Sequence, residues 1–255
     1  MSTKPLVLQT QGLTKTFGGL MALSNVNMTL HEGEILGVIG PNGAGKTTFI
    51  NVVTALYPPS SGKIEFLGRD VSVSHPHRMG RIGLARTFQV VRPFRNLSVL
   101  ENVAVGAMFG AGGAKRSASE AFGRAEQVLT RVGMKDKISA DASRLTIPDL
   151  KRLELARALA MDPKVLLLDE VMAGLHTAEI DRAVELLKQI HADGISLLVV
   201  EHVMKAIKAL SHRIMVLDFG KKIADDAPDV VLNDPNVIAA YLGQRYMQRQ
   251  HEKAG

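Results

Sequence analysis

The chain has 255 residues, enough for one or two domains with a buried core. Hydrophobic residues make up 46% and charged residues 22%, ordinary globular usage that excludes a disordered chain, a collagen-like repeat and a small disulfide scaffold. The absence of cysteine excludes disulfides, thiolate metal sites and a cysteine nucleophile, while the net charge of +6 suits phosphorylated ligands, nucleic acid or anionic lipid.

Met1-Ser2-Thr3-Lys4-Pro5 opens no signal-peptide core, and no run approaches the roughly 20 apolar residues of a bilayer span. The protein is expected to be cytosolic by synthesis, with any membrane attachment made through a partner or the basic surface. Leu6 to Leu13 and Leu23 to Leu30 read as strands, and Glu34 to Ile39 as a buried strand running into Gly40. Pro58-Pro59-Ser60-Ser61-Gly62 signals a turn before a strand at Lys63 to Leu67. The first ninety residues thus combine an antiparallel portion with a parallel core, the start of an α/β fold.

From about Ser98 to Ala140 the pattern is helical. Ser98 and Glu101 form a capping box, and Ala111-Gly112-Gly113-Ala114 breaks the helix. Ser117 to Val132 carries Phe122, Ala125, Leu129 and Val132 at helical spacing, with Gly133 to close it. Another helix follows Pro148 through about Ala160, so residues 98–160 read as an inserted helical subdomain. Val165 to Leu168 and Ile195 to Val200 suit strands covered on both faces. Arg213 to Leu217 and Lys221 to Ala224 flank Asp218-Phe219-Gly220 as a hairpin. The segment 244–255 is polar and basic and reads as a frayed tail of a single domain spanning 1–255.

Gly40-Pro41-Asn42-Gly43-Ala44-Gly45-Lys46-Thr47 matches the P-loop pattern, with a strand before it and a helix after. Glycines let successive N–H groups turn inward as an anion nest, and the helix beginning near Lys46 adds its positive end. Lys46 is placed to reach the β- and γ-phosphates, Thr47 to ligate Mg²⁺ and Thr48 to contact the α-phosphate. Val165-Leu166-Leu167-Leu168-Asp169-Glu170 is an apolar strand ending in two acids. Asp169 is the expected Mg²⁺ partner, and Glu170 is placed to orient and deprotonate an attacking water. His202 ends the next apolar strand at the same sheet edge, which puts it within reach of a γ-phosphate.

In this order, the P-loop, Gln89, the acid-ended strand and His202 resemble the ATP-binding subunit of an ABC transporter, over nearly the whole chain. Phe17-Gly18-Gly19-Leu20, Arg86-Thr87-Phe88-Gln89, Arg92-Pro93-Phe94-Arg95 and Ala240-Tyr241-Leu242-Gly243 are similar to one subgroup. That subgroup is the ATPases of branched-chain amino-acid importers, with importers of short amides and urea close by. The resemblance implies a P-loop NTPase core with a mostly parallel sheet, an N-terminal antiparallel β subdomain and the helical insert. It implies ATP and Mg²⁺, with Phe17 stacking on adenine and Gln89 touching Mg²⁺ or the water and linking the site to a permease. Thr146 would hold the γ-phosphate of a nucleotide on the opposing subunit, Ala173-Gly174-Leu175-His176 would cross the dimer interface, and His202 would be the switch histidine. It further implies a second ATPase subunit, transmembrane permease subunits, indirectly an extracytoplasmic solute-binding protein, no nucleic acid, and a peripheral place on the cytoplasmic face of the inner membrane.

Two departures stand out. Leu145-Thr146-Ile147-Pro148-Asp149 occupies the place of the family's Leu-Ser-Gly-Gly-Gln signature, and Pro148 has no N–H to offer a phosphate. Val171 stands where proline usually follows the glutamate. The alternatives at this point are a subunit that mainly binds nucleotide with weak turnover, and a soluble ABC-type ATPase acting on nucleic acid.

Overall fold

Short apolar runs that alternate their side chains between two faces build a pair of sheets. β1 (Leu6–Phe17), β2 (Leu20–His31), β4 (Ser61–Phe66) and β5 (Arg69–Asp70) form an antiparallel sheet in the order β2-β1-β4-β5. β3 (Ile35–Ile39), β6 (Leu84–Arg86), β7 (Val165–Asp169), β8 (Ser196–Val200), β9 (Arg213–Asp218) and β10 (Lys221–Asp226) form the second, in the order β10-β9-β3-β8-β7-β6. Its pairings are parallel except at β10, which returns antiparallel to β9 as the far strand of a hairpin. The computed structural model describes residues 4–111 and 116–242. The glycine break expected at 112–114 and the tail expected from 244 lie outside the described residues.

The parallel strands are buried on both faces, as their nearly continuous apolar sequences require. Leu36, Val38, Val165, Leu167, Leu198, Val200, Met215 and Leu217 turn toward one core. There they meet the antiparallel sheet and Phe49, Ile50, Val52 and Val53 of α1 (Lys46–Val53). Ile35, Ile39, Leu166, Leu168, Leu197, Val199, Ile214 and Val216 turn the other way, into a core shared with the remaining helices. The P-loop follows β3, the strand flanked by β8 and β9 at the middle of this sheet.

The helical region comprises α3 (Val99–Phe109), α4 (Ala118–Arg131) and α5 (Ile147–Ala160), after the short α2 (Pro76–Ile82). Both Ser98 and Ser117 close full capping boxes, with Glu101 and Glu120. Helices α3 and α5 cross closely: a Cβ at Gly106 would lie 2.5 Å from the Arg157 carbonyl oxygen. α6 (Thr177–Ala192), α7 (Met204–Leu210), α8 (Pro228–Leu232) and α9 (Pro235–Leu242) complete the fold.

Several elements differ from the sequence reading. β1 continues past Leu13 to Phe17, because register shifts around a left-handed Gly12 break the alternation without ending the pairing. Helix α5 begins one residue before Pro148, at Ile147, with Thr146 as its N-cap. The sequence reading gives no element at β6, whose three residues are too few for a periodic signal, and none at α6, although Ile180, Val184, Leu187 and Ile190 stand there at helical spacing.

Candidate functional site

The site starts at the carboxyl end of β3. Gly40 is required by space, since a Cβ there would lie 2.1 Å from the Leu217 carbonyl oxygen. Gly45 caps α1 in a left-handed conformation, φ 102°, and no side chain caps the helix. The N–H groups of Lys46, Thr47 and Thr48 therefore have no protein acceptor among the described residues, and the first helical hydrogen bond is Phe49 to Gly45 at 2.8 Å. Positive helix end and unpaired donors together make an anion site. Lys46 is buried, and its ammonium donates to the carbonyls of Gly40 at 2.6 Å and Pro41 at 3.0 Å. Burial holds its pKa below the usual lysine range, against the upward pull of Glu170 and Asp169.

One cavity of about 430 Å³ is lined by residues 42–48 of this loop together with Gln89 and Glu170. Gln89 Nε2 donates to Glu170 Oε2 at 2.7 Å, joining the loop after β6 to the end of β7. Asp169 lies behind them, 2% exposed. Its Oδ2 accepts from Arg86 at 3.3 Å, while its Oδ1 is buried without a hydrogen-bond partner among the described residues. Burial raises the Asp169 pKa above the usual carboxylate range, and Arg86 opposes the shift.

His202 is exposed, two residues past β8. The pairing of Asp169 with Val200 sets it at the same sheet edge, but it is not among the residues lining the cavity. Phe17 also lies off that lining, at the end of β1, edge-on to Tyr57 at 5.4 Å with the Lys15 ammonium 4.9 Å above its ring. Thr146 stands apart at the start of α5, where its hydroxyl donates to Asp149 Oδ2 at 2.7 Å.

Residues given no individual role from the sequence complete the arrangement. Arg86 reaches Asn51 Oδ1 at 2.7 Å and Thr54 Oγ1 at 3.1 Å, so one guanidinium ties α1 to Asp169. The Thr87 hydroxyl accepts the Asp169 N–H at 3.1 Å. From the far end of the chain, burial pushes the Tyr241 phenol up to about 12, against the downward pull of the Gly40 N–H beside it. All three lie in the runs Arg86-Thr87-Phe88-Gln89 and Ala240-Tyr241-Leu242-Gly243, which the sequence singled out as patterns without giving them chemistry.

Comparison with known proteins agrees with this geometry. Residues 23–173 match the family described as ABC transporter, and residues 221–246 match the family described as branched-chain amino acid ATP-binding cassette transporter. The chain is 38% identical to the high-affinity branched-chain amino acid transport ATP-binding protein LivG of Salmonella typhimurium, over 95% of this chain and 99% of that one. It is 35% identical to the corresponding protein BraF of Pseudomonas aeruginosa, over 93% of this chain and 98% of the relative. Among solved structures, a nucleotide-free ATP-binding cassette from an ABC transporter superposes with a TM-score of 0.86 at 28% identity, covering 94% of this chain and all of that one. A dimeric bacterial ABC transporter cassette superposes with a TM-score of 0.79 at 26% identity, over 87% of this chain and 98% of the other. A P-loop, an acid-ended β7 and a helical insert in one mixed fold, matched over nearly their whole length, place the chain in the ABC transporter family, as its ATP-hydrolysing cassette.

Proposed function

We propose that this cassette hydrolyses ATP to drive uptake of branched-chain amino acids through a membrane permease. The observation that carries the reading is the single cavity shared by the P-loop, Gln89 and Glu170. The phosphates of ATP enter the nest at Gly43 to Thr48, with Lys46 on the β- and γ-phosphates and Thr48 on the α-phosphate. Glu170 takes a proton from water, whose oxygen bonds to the γ-phosphorus as the bond to the β-bridging oxygen breaks, leaving ADP and phosphate. Gln89, already bonded to Glu170, orients that water. His202 serves as the switch histidine at the γ-phosphate, Phe17 stacks on adenine, and Thr146 holds the nucleotide of an opposing subunit.

The residues present fit Mg²⁺. Thr47, Asp169 and the Gln89 amide oxygen form the hard-oxygen set such an ion needs, and the unpartnered Asp169 Oδ1 is a buried acceptor that calls for a cation. When bound, the ion would neutralise charge on the β- and γ-oxygens.

The partners follow from the same reading: a second cassette, transmembrane permease subunits and, across the membrane, a solute-binding protein. Phe88, Val90 and Phe94 are exposed around Arg92 and Arg95, an apolar and basic surface suited to a permease. No helix among the described residues is long and apolar enough to cross a membrane, so attachment at the cytoplasmic face of the inner membrane would run through that surface.

The reading is tested in two steps. Glu170→Gln should bind ATP as the parent does and stop turnover; normal turnover would remove the base assignment. Vesicles holding the cassette with its co-purified permease and receptor should take up labelled leucine on ATP addition. Uptake of urea or acetamide in place of leucine would keep the ATPase and reject the cargo.

A further inference from the structure

Glu170 has a left-handed backbone, φ 50°, a conformation uncommon for a residue with a side chain. Such a conformation persists only where its surroundings over-determine it. Its N–H donates to the Val200 carbonyl at 2.9 Å. Its own carbonyl accepts from the Ala173 N–H at 3.3 Å and from the Lys151 ammonium at 2.8 Å. Two residues on, the Met172 N–H donates to Glu201 Oε1 at 2.6 Å. The turn carrying Glu170 is thus held by Lys151 from α5 and by Glu201 from the end of β8.

Neither holder is there for packing alone. Glu201 is 1% exposed, and its second oxygen, Oε2, is buried without a hydrogen-bond partner among the described residues. Burial pushes its carboxyl up, and Lys151 is among the groups pulling it back. A buried carboxylate with one oxygen left unpartnered is a costly arrangement that packing alone does not explain. The lysine, moreover, points at a main-chain carbonyl of the turn. A cavity of about 340 Å³ opens beside it, lined in part by Pro148, Val171 and Leu175, so on that side the ammonium reaches the turn past open space.

We propose that Lys151 and Glu201 are positioning residues that hold the turn from Asp169 to Met172 and thereby aim the Glu170 carboxylate. The inference rests on the reading of Glu170 as the base. Because Lys151 lies about one and a half turns past Thr146 at the start of α5, the same contact links that helix end to Glu170.

The test uses the full chain with its permease. Lys151→Met should lower kcat for ATP about tenfold with KM within about twofold, the signature of a misaimed group and not of lost binding. Lys151→Arg should recover most of the rate. Glu201→Gln, which keeps an oxygen for Met172, should stay near the parent, and Glu201→Ala should fall as Lys151→Met does. A parental kcat in Lys151→Met, an Arg variant no better than Met, or a KM that rises as kcat falls would each overturn the assignment. If Lys151→Met does not fold, the Glu201 pair decides, and equal rates for Ala and Gln overturn it. Glu170→Gln is measured alongside. If it turns over normally, the base reading itself falls; if it is inert while Lys151→Met runs at the parental rate, only the positioning role falls.

Discussion

Two helix starts in this protein look alike in sequence role and differ in construction. α1 begins after a left-handed glycine with no side-chain cap, and three successive N–H groups face outward unpaired. α5 begins closed on itself. Thr146 Oγ1 accepts the Asp149 N–H at 3.4 Å, Pro148 has no N–H, and Ile147 keeps the one uncommitted N–H of that turn among the described residues. The charges are opposed as well. α1 opens with Lys46, whereas α5 carries the buried carboxylate of Asp149, paired with Lys137. A helix N-terminus binds an anion only while its donors are free. By that criterion the start of α1 offers an anion three free donors, whereas α5 offers a single N–H, its Thr146 hydroxyl being committed to Asp149 Oδ2.

The largest expected effect tests the first half of that contrast. Lys46→Ala should lower kcat/KM for ATP by about 100-fold or more, since it removes a charged donor aimed at developing phosphate charge. ATP turnover at the parental rate would mean that the N–H nest alone suffices. The second half is tested by restoring a donor. In a Glu170→Gln background that holds ATP, Pro148→Gly should tighten nucleotide-dependent dimerisation about tenfold, near the low end for a hydrogen bond to a charged group. Sedimentation with and without ATP reads this directly, and an unchanged dimer constant would show that α5 does not present its backbone to phosphate.

Much of the α1 side was legible in the sequence because its chemistry is local. Gly40 to Thr48 are contiguous, and Asp169-Glu170 end an apolar run whose burial on both faces follows from composition. What stayed hidden is nonlocal. Arg86 was visible as part of a pattern, yet nothing in its neighbours says that it spans α1 and β7. Lys151 and Glu201 draw no role from the sequence, because only the fold closes them around Glu170. The sequence places a helix after Pro148, whereas Thr146 caps through Asp149 and moves the start to Ile147.

Smaller effects separate the cap from the charge at α5. Thr146→Ala should destabilise the chain by about 1 kcal/mol, the usual worth of a threonine N-cap, seen as a lower thermal midpoint. A midpoint equal to the parent's would mean that Asp149 and Pro148 hold the helix start without it.

The smallest effect is confined to acid. Burial pushes the Asp149 carboxyl up, but hydrogen bonds from Lys137 and Thr146, with the Lys137 and Arg152 charges, leave it below the usual range. A carboxylate whose folded pKa is depressed adds stability that is present above the unfolded value, about 3.9, and is lost as pH falls through the lower folded value. Asp149→Asn lacks that term, so its thermal midpoint should start lower near neutrality and converge on the parent's as the pH drops below about 4. Parallel curves for Asp149→Asn and the parent across the acid range would mean that α5 stands on its threonine cap alone, and the electrostatic half of the contrast between the two helix starts would go.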